Sequence, residues 1–165
     1  MNTVAIVEDN NDIRQALEEI IQSSQDYKLA GSCMTGEEAL VQLPLLNPDV
    51  VLMDIGLGDG INGIEVVREL KGTNPNMLFI MCTIYEDDDK IFEALRAGAN
   101  GYILKNDPPQ KYLEAITEVH NGGSFMNASV ARKTLNFFTN KNIILVSPET
   151  VDYQLSEREK QILSE

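Results

Sequence analysis

Short apolar runs alternate with segments of helical periodicity from the N-terminus to about Gly123. After each run, apolar residues recur every three or four positions, as they do on one face of a helix. The five runs are residues 4–7, 29–33, 50–53, 77–81 and 102–104. Such alternation requires right-handed crossovers, which place the strands parallel in one sheet and cover both of its faces with helices. The pattern therefore predicts a doubly wound α/β fold.

Capping signals mark where several of these helices begin. The first helix is expected to open near residues 10–11, and Thr35 with Glu38 three residues later predicts a capping box for the second. Asp107 and Pro108 form a favourable N-cap and N1 pair for the fifth. Beyond Gly123 the pattern changes. We expect a first domain over residues 1–123, an extension with one further helix (residues 128–138) over 124–154, and the start of another domain, opening with a helix at 155–163, over 155–165.

Polar side chains follow four of the five apolar runs at the point where each strand is expected to end. Glu8 and Asp9 follow the first run, Asp54 the third, Thr83 the fourth and Lys105 the fifth. In parallel sheets these ends share one edge, and ligands bind in the crevice just outside it. Each residue alone has an ordinary explanation as a turn, cap or surface residue. Their joint placement predicts a site.

Three carboxylates at this edge favour a cation. Glu8, Asp9 and Asp54 would repel one another unless a metal or protons relieve the repulsion. Oxygen ligands suit Mg²⁺, whereas Zn²⁺ prefers the His or Cys ligands that these positions lack. A calcium loop over residues 54–65 is excluded because glycines stand where ligands are needed.

A carboxylate can attack phosphorus and form an acyl phosphate, which divides a transfer into two easier steps. Lys105 could place a positive charge on one phosphoryl oxygen, and Thr83 could donate a hydrogen bond to another. His120, the only histidine, stands at the end of a helix, where a packing or dipole role is the ordinary one. The chemistry predicted for Asp54 is therefore phosphoryl acceptance.

Charge and hydropathy narrow the classes of partner. The formal net charge of -13 opposes contact with nucleic acid phosphates. No apolar stretch approaches the roughly 20 residues that span a bilayer, and no signal peptide pattern opens the chain, so we expect a cytoplasmic protein without a membrane partner. Cys33 and Cys82 lie in different predicted strands and are expected to be reduced core thiols.

The chain resembles the receiver domain of two-component response regulators over about residues 3–123. The motifs that carry the resemblance are Val-Glu-Asp-Asn at 7–10, Leu-Met-Asp-Ile-Gly-Leu at 52–57, Met-Cys-Thr at 81–83 and Ala-Gly-Ala-Asn-Gly-Tyr-Ile-Leu-Lys at 97–105. The resemblance implies a flavodoxin-like, five-stranded parallel sheet of order 2-1-3-4-5. It implies that Asp54 is the phosphoacceptor and that Mg²⁺ is bound by Glu8, Asp9, Asp54 and the backbone carbonyl of Gly56. It further implies that Thr83 and Lys105 contact the phosphoryl group and that Thr83 and Tyr102 form the switch.

The region after Gly123 resembles the NarL/FixJ class, in which a linker joins the receiver to a LuxR-type helix-turn-helix domain. Residues 155–163 resemble the opening helix of that domain, and we interpret the chain as truncated within it. The resemblance implies a sensor histidine kinase as phosphodonor, a homodimer on phosphorylation, and DNA contact only through the missing domain.

Three positions depart from the receiver pattern. Gly58 stands in place of a common proline in a loop that is one residue longer than usual, Ile84 replaces a small residue after Thr83, and Asn106 replaces a frequent proline. Two alternatives remain: an aspartyl phosphatase or phosphotransferase, and a receiver that only binds other proteins. Gly56 disfavours the enzyme, because such enzymes carry an acid/base Asp at that position. We therefore expect a signalling protein and not an enzyme.

Overall fold

The chain forms a parallel sheet covered by helices, as seen in a computed structural model that describes residues 2–84, 87–140, 158–159 and 161–162. Its compact units are Met1–Arg132 and Lys133–Glu165. The strands are β1 (Asn2–Val7), β2 (Tyr27–Cys33), β3 (Val50–Met53), β4 (Leu78–Thr83), β5 (Gly101–Leu104), β6 (Phe125–Met126), β7 (Arg158–Glu159) and β8 (Gln161–Ile162). The helices are α1 (Asn11–Ser23), α2 (Gly36–Leu46), α3 (Gly63–Thr73), α4 (Asp88–Ala97), α5 (Pro109–His120) and α6 (Ala128–Asn140).

The main sheet has the order β2-β1-β3-β4-β5-β6, and its neighbouring strands are parallel. The predicted doubly wound fold and the order of its first five strands are confirmed. The sixth strand was not predicted. After α5, Gly122 adopts a positive φ of 96° that turns the chain, and Phe125 and Met126 then pair with Gly101 and Tyr102.

Alternate residues of the central strands pack into two separate apolar clusters. In β3, Val51 and Met53 face the cluster that also contains α2, α3 and α4, whereas Val50 and Leu52 face the cluster that contains α1 and α5. All four residues are buried, which explains why this strand is a continuous apolar run. Full burial of one such side chain stabilises the fold by about 1.5–3 kcal/mol.

Both cysteines are free and buried, as predicted. Cys33 lies in the cluster of α2 to α4 and Cys82 in the cluster of α1 and α5, so the sheet separates them. Burial raises the pKa of the Cys33 thiol to about 11 and also raises the pKa of Cys82. Both side chains therefore act as small apolar core residues.

The predicted helix starts agree with the structure for α1 and α2 but are wrong by one residue for α5. Asn10 Oδ1 accepts a hydrogen bond from Ile13 N at 3.0 Å, and Thr35 Oγ1 accepts one from Glu38 N at 3.0 Å. Of the capping box predicted for α2 only this half forms, because the Glu38 carboxylate accepts from Met34 N at 2.8 Å. In α5 the N-cap is Pro108, not Asp107. The Asp107 carboxylate instead accepts from Leu104 N at 3.2 Å, which takes it away from the helix end.

Helix α6 begins at Ala128, as predicted, and extends to Asn140. In the C-terminal segment, β7 and β8 pair in parallel with each other. A helix was expected over residues 155–163. At four of these positions the structure has strand, and the other five lie outside the described residues. Of the helices that are described, none has both the length and the apolar character to cross a bilayer.

Candidate functional site

Backbone hydrogen bonds continue past the strand ends and fix the polar residues at one edge of the sheet. Glu8 N donates to Cys33 O at 3.0 Å, Asp54 N to Val7 O at 3.0 Å, and Lys105 N to Thr83 O at 2.9 Å. Each bond ties the residue after one strand to a neighbouring strand. The side chains that follow β1, β3 and β5 therefore converge, as the sequence predicts.

Lys105 forms the centre of this group. Its Nζ lies 2.7 Å from Glu8 Oε1 and 3.1 Å from Asp54 Oδ2. The carboxylates of Glu8 and Asp54 are buried, with 1% and 5% of the residue exposed, respectively. Glu8 Oε2 accepts from Asn10 N at 3.1 Å. Glu8 Oε1 is buried and forms the ion pair with Lys105. The lysine thus pairs with two buried carboxylates at once.

The three carboxylates of Glu8, Asp9 and Asp54 form the predicted acidic cluster. Each offers an oxygen, and these oxygens lie within 4.8 Å of one another. Against three ionised carboxylates, Lys105 supplies one positive charge, which leaves two negative charges. This donor set, with two buried carboxylates and no nitrogen or sulfur ligand, fits a hard divalent cation such as Mg²⁺.

The pKa values of the cluster also indicate that its carboxylates favour a cation or protons. Burial raises the pKa of the Glu8 carboxyl from its ordinary 4.5 to about 7, with Lys105 opposing the shift and Asp54 adding to it. Burial also raises the pKa of Asp54, against the effect of Lys105. Although burial works against it, the two carboxylates raise the pKa of Lys105. Without a cation, the cluster therefore holds protons that ordinary carboxylates would have lost.

A cavity of about 440 Å³ opens over the cluster. Its walls are formed by Glu8, Asp9, Asn10, Ile13, Asp54, Gly56, Ile84 and Lys105. Ile84 is 73% exposed at this cavity, so an apolar side chain stands at its mouth. The two predicted switch residues do not line it: Thr83 is fully buried at the end of β4, and Tyr102 is fully buried in the apolar cluster of α2 to α4.

Two residues at the site were missed by the sequence analysis. Arg14 in α1 donates from its guanidinium to Glu8 O at 2.9 Å and holds the turn that carries Glu8 and Asp9. Gly63, the first residue of α3, donates from its N–H to Ile55 O at 2.8 Å, and a Cβ there would lie 1.9 Å from Asp54 O. The position of Arg14, six residues after Glu8 and in the predicted first helix, could have indicated its contact with Glu8. The close approach of Gly63 requires the folded structure.

The raised pKa of Glu8 predicts a pH dependence of stability in the absence of metal. Because the folded pKa, about 7, lies above the ordinary 4.5, the native state binds the proton more tightly. This stabilisation is fully present below pH 4.5 and is lost as pH rises through about 7. Glu8→Gln removes the titration. Between pH 5 and 8, we expect the wild type to lose about 1–3 kcal/mol of unfolding free energy relative to Glu8→Gln.

Urea unfolding of both proteins in a chelator, at pH 5 and at pH 8, measures this difference. The comparison controls for titrating groups outside the cluster, since the two chains differ only at residue 8. Equal changes in unfolding free energy for wild type and Glu8→Gln would contradict the prediction.

The chain is similar to known proteins in both sequence and fold. Residues 4–117 match the family described as response regulator receiver domain. The chain is 29% identical over 161 residues to the oxygen regulatory protein NreC of Staphylococcus haemolyticus (strain JCSC1435). The aligned segment covers 97% of this chain and 74% of that protein.

Solved structures share the fold. A DNA-binding response regulator of the LuxR family from Staphylococcus aureus is 27% identical, with a TM-score of 0.69 over 73% of this chain and 100% of that one. A two-component response regulator of the LuxR family from Aurantimonas sp. SI85-9A1 aligns with a TM-score of 0.78 over 83% of this chain and 97% of that one. Its 23% identity supports the fold alone.

Proposed function

The chain belongs to the response regulator receiver family, and we propose that Asp54 is the residue that accepts the phosphoryl group in its phosphorylation-switched signalling. The observation that carries the proposal is the buried Asp54 carboxylate, held at the end of β3 beside Glu8, Asp9 and Lys105 and open to a cavity. One Asp54 oxygen forms the bond to phosphorus, and the bond between phosphorus and the donor's histidine nitrogen breaks, with its electron pair leaving on nitrogen.

The acidic cluster is proposed to hold Mg²⁺ through Glu8, Asp9, Asp54 and the backbone carbonyl of Gly56. Gly56 lines the same cavity as the three carboxylates, which supports its inclusion. When bound, the cation would neutralise charge on the phosphoryl oxygens. The protein itself contributes two buried carboxylates, whose mutual repulsion the cation would reduce.

Lys105 and Thr83 are proposed to contact the phosphoryl oxygens. Lys105 Nζ already lies 3.1 Å from Asp54 Oδ2, so a short movement would bring it to an oxygen attached to that carboxylate. Thr83 pairs with Leu104 in the neighbouring strand, next to Lys105, and Tyr102 lies two residues further back in β5. A phosphoryl group brings about -1.5 to -2 charge, which could draw Thr83 toward the site and change the packing of Tyr102.

The proposed role is that of a switch and not of an enzyme with rapid turnover. Gly56, the second residue after Asp54, has no side chain to act as a general acid or base, and Ile84 stands at the mouth of the cavity. Both features favour an acyl phosphate that persists. The partners we propose are a sensor histidine kinase and, after phosphorylation, a second copy of the chain.

DNA contact is proposed to belong to a LuxR-type domain that begins near residue 155, joined through residues 124–154 to the receiver at 1–123. The formal net charge of -13 argues against direct contact between the receiver and DNA phosphates. The cytoplasmic location remains a prediction from the sequence.

Incubation with acetyl phosphate tests the proposed function. We expect the mass of the intact protein to increase by one phosphoryl group when Mg²⁺ is present and to stay unchanged when a chelator replaces it, because the clustered carboxylates repel the anionic donor without a cation. The label should accumulate on the protein. Rapid release of inorganic phosphate without accumulation would indicate an enzyme, and the absence of any label with Mg²⁺ would indicate a protein-binding module.

A further inference from the structure

The N-terminus of α2 contacts the loop that follows Asp54. Glu37 Oε2 accepts a hydrogen bond from Ile61 N at 3.0 Å, although the two residues are 24 positions apart. A Cβ at Gly60 would lie 2.4 Å from both carboxylate oxygens of Glu37, so these oxygens rest directly over the Gly60 backbone. We refer to residues 54–62 as the acceptor loop.

A glycine at the first position of α2 allows the acceptor loop to approach the helix closely. A Cβ at Gly36 would lie 2.6 Å from Ile61 Cγ1 and 2.8 Å from Ile61 O, so only glycine lets the acceptor loop come this close. Glu37 is also not needed to cap the helix. Thr35 Oγ1 accepts from Glu38 N at 3.0 Å, and Glu38 Oε1 accepts from Met34 N at 2.8 Å.

The acceptor loop needs such an anchor because its middle is exposed. Leu57 is buried, with 3% of its surface exposed, whereas residues 58–60 are exposed. Gly58 has a φ of 80°, and no atom would lie within 4 Å of a Cβ built there. Within the described part of the chain, the bond from Ile61 N to Glu37 is the first hydrogen bond after Leu57 that joins this loop to another element.

We propose that Glu37 is a positioning residue, which holds the acceptor loop and thereby presents the Gly56 carbonyl to the cation. The inference rests on the proposed function of the site. If the loop is held before the cation binds, the cation does not bear the entropic cost of ordering it. Glu37 touches neither the cation nor the phosphoryl group in this role.

Glu37→Ala removes the anchor, and we expect Mg²⁺ to bind about three- to tenfold more weakly, as for the loss of one hydrogen bond to a charged acceptor. Glu37→Gln keeps an oxygen that can accept from Ile61 N and removes the charge. We expect its affinity for Mg²⁺ to stay within about twofold of the wild type. If Glu37 acted only through its negative charge, Glu37→Gln would weaken binding as much as Glu37→Ala does. Calorimetric titration with MgCl₂ at low temperature measures all three affinities.

Gly60→Ala approaches the same contact from the other side. Its added methyl group would collide with the end of the flexible Glu37 side chain and displace it. We expect the loss of affinity to match that of Glu37→Ala, and the double variant to be no weaker than either single variant. Gly72→Ala in α3, where a Cβ would meet nothing within 4 Å, is the matched control and should bind Mg²⁺ like the wild type.

Amide hydrogen exchange, followed in a chelator, provides a readout without metal. Glu37→Ala should accelerate exchange at Ile61 N, whereas Glu37→Gln should not. If the wild type binds Mg²⁺ and Glu37→Ala binds it equally well, the role of Glu37 is overturned while the proposed function stands. The same holds if Glu37→Gln binds as weakly as Glu37→Ala. A wild type without any response to Mg²⁺ would contradict the proposed function and this role together.

Discussion

Asp54→Asn is expected to reduce phosphoryl uptake from acetyl phosphate to background. The carboxamide is a much poorer nucleophile than the carboxylate, and the substitution also removes one of the three negative charges that favour the cation. The side chain keeps its size, so β3 and its buried neighbours should be undisturbed. Intact mass spectrometry after incubation with Mg²⁺ and acetyl phosphate measures the uptake.

Asp59→Asn is the matched control, because Asp59 lies in the same loop but is exposed and outside the acidic cluster. It undergoes the same chemical change and should retain wild-type uptake. Stoichiometric labelling of Asp54→Asn, or a label mapped by proteolysis to a different residue of the wild type, would remove Asp54 from the role of acceptor.

Gly63→Ala is expected to give the largest loss of stability among the substitutions considered. The new Cβ would lie 1.9 Å from Asp54 O and 2.9 Å from Met53 Cγ, and the nearest of these atoms belongs to the backbone. Either α3 or the end of β3 must shift. We expect a loss of roughly 2–4 kcal/mol in unfolding free energy, together with a displaced Asp54 and weaker Mg²⁺ binding.

Gly72→Ala places the same substitution at the other end of α3 in open space. Because alanine favours helix more than glycine does, this variant should gain about 0.5–1 kcal/mol. Urea denaturation of both variants decides the matter. Similar stabilities for the two variants would show that the backbone at Asp54 tolerates a side chain at Gly63, which would contradict the prediction.

The sequence was sufficient to predict that Glu8, Asp54 and Lys105 lie together, because each follows a continuous apolar run. Asp54 and Lys105 are presented by β3 and β5, whose residues are all buried, and burial on both faces leaves a signal that needs no knowledge of the neighbours. The convergence of Glu8, Asp54 and Lys105 then follows from the parallel order of the strands. The roles assigned to these residues stay predictions until the labelling experiments are done.

Other features leave no distinctive pattern in the sequence and could not be predicted in this way. The carboxylate of Asp107 could have capped α5, but it bonds Leu104 N instead, and both choices look alike in a sequence. The bond between Glu37 and Ile61 joins the first turn of α2 to the loop that precedes α3. Strand β6 has only two residues, which is too short for any periodicity to be recognised.

Strand β6 protects part of one edge of the sheet. An unprotected outer strand offers unpaired N–H and C=O groups to another chain, and β5 is an apolar strand of four buried residues. Phe125 and Met126 pair with Gly101 and Tyr102 and so occupy part of that border. Two residues are too few to template an intermolecular sheet. The fold thereby limits edge-to-edge aggregation on this side of the sheet.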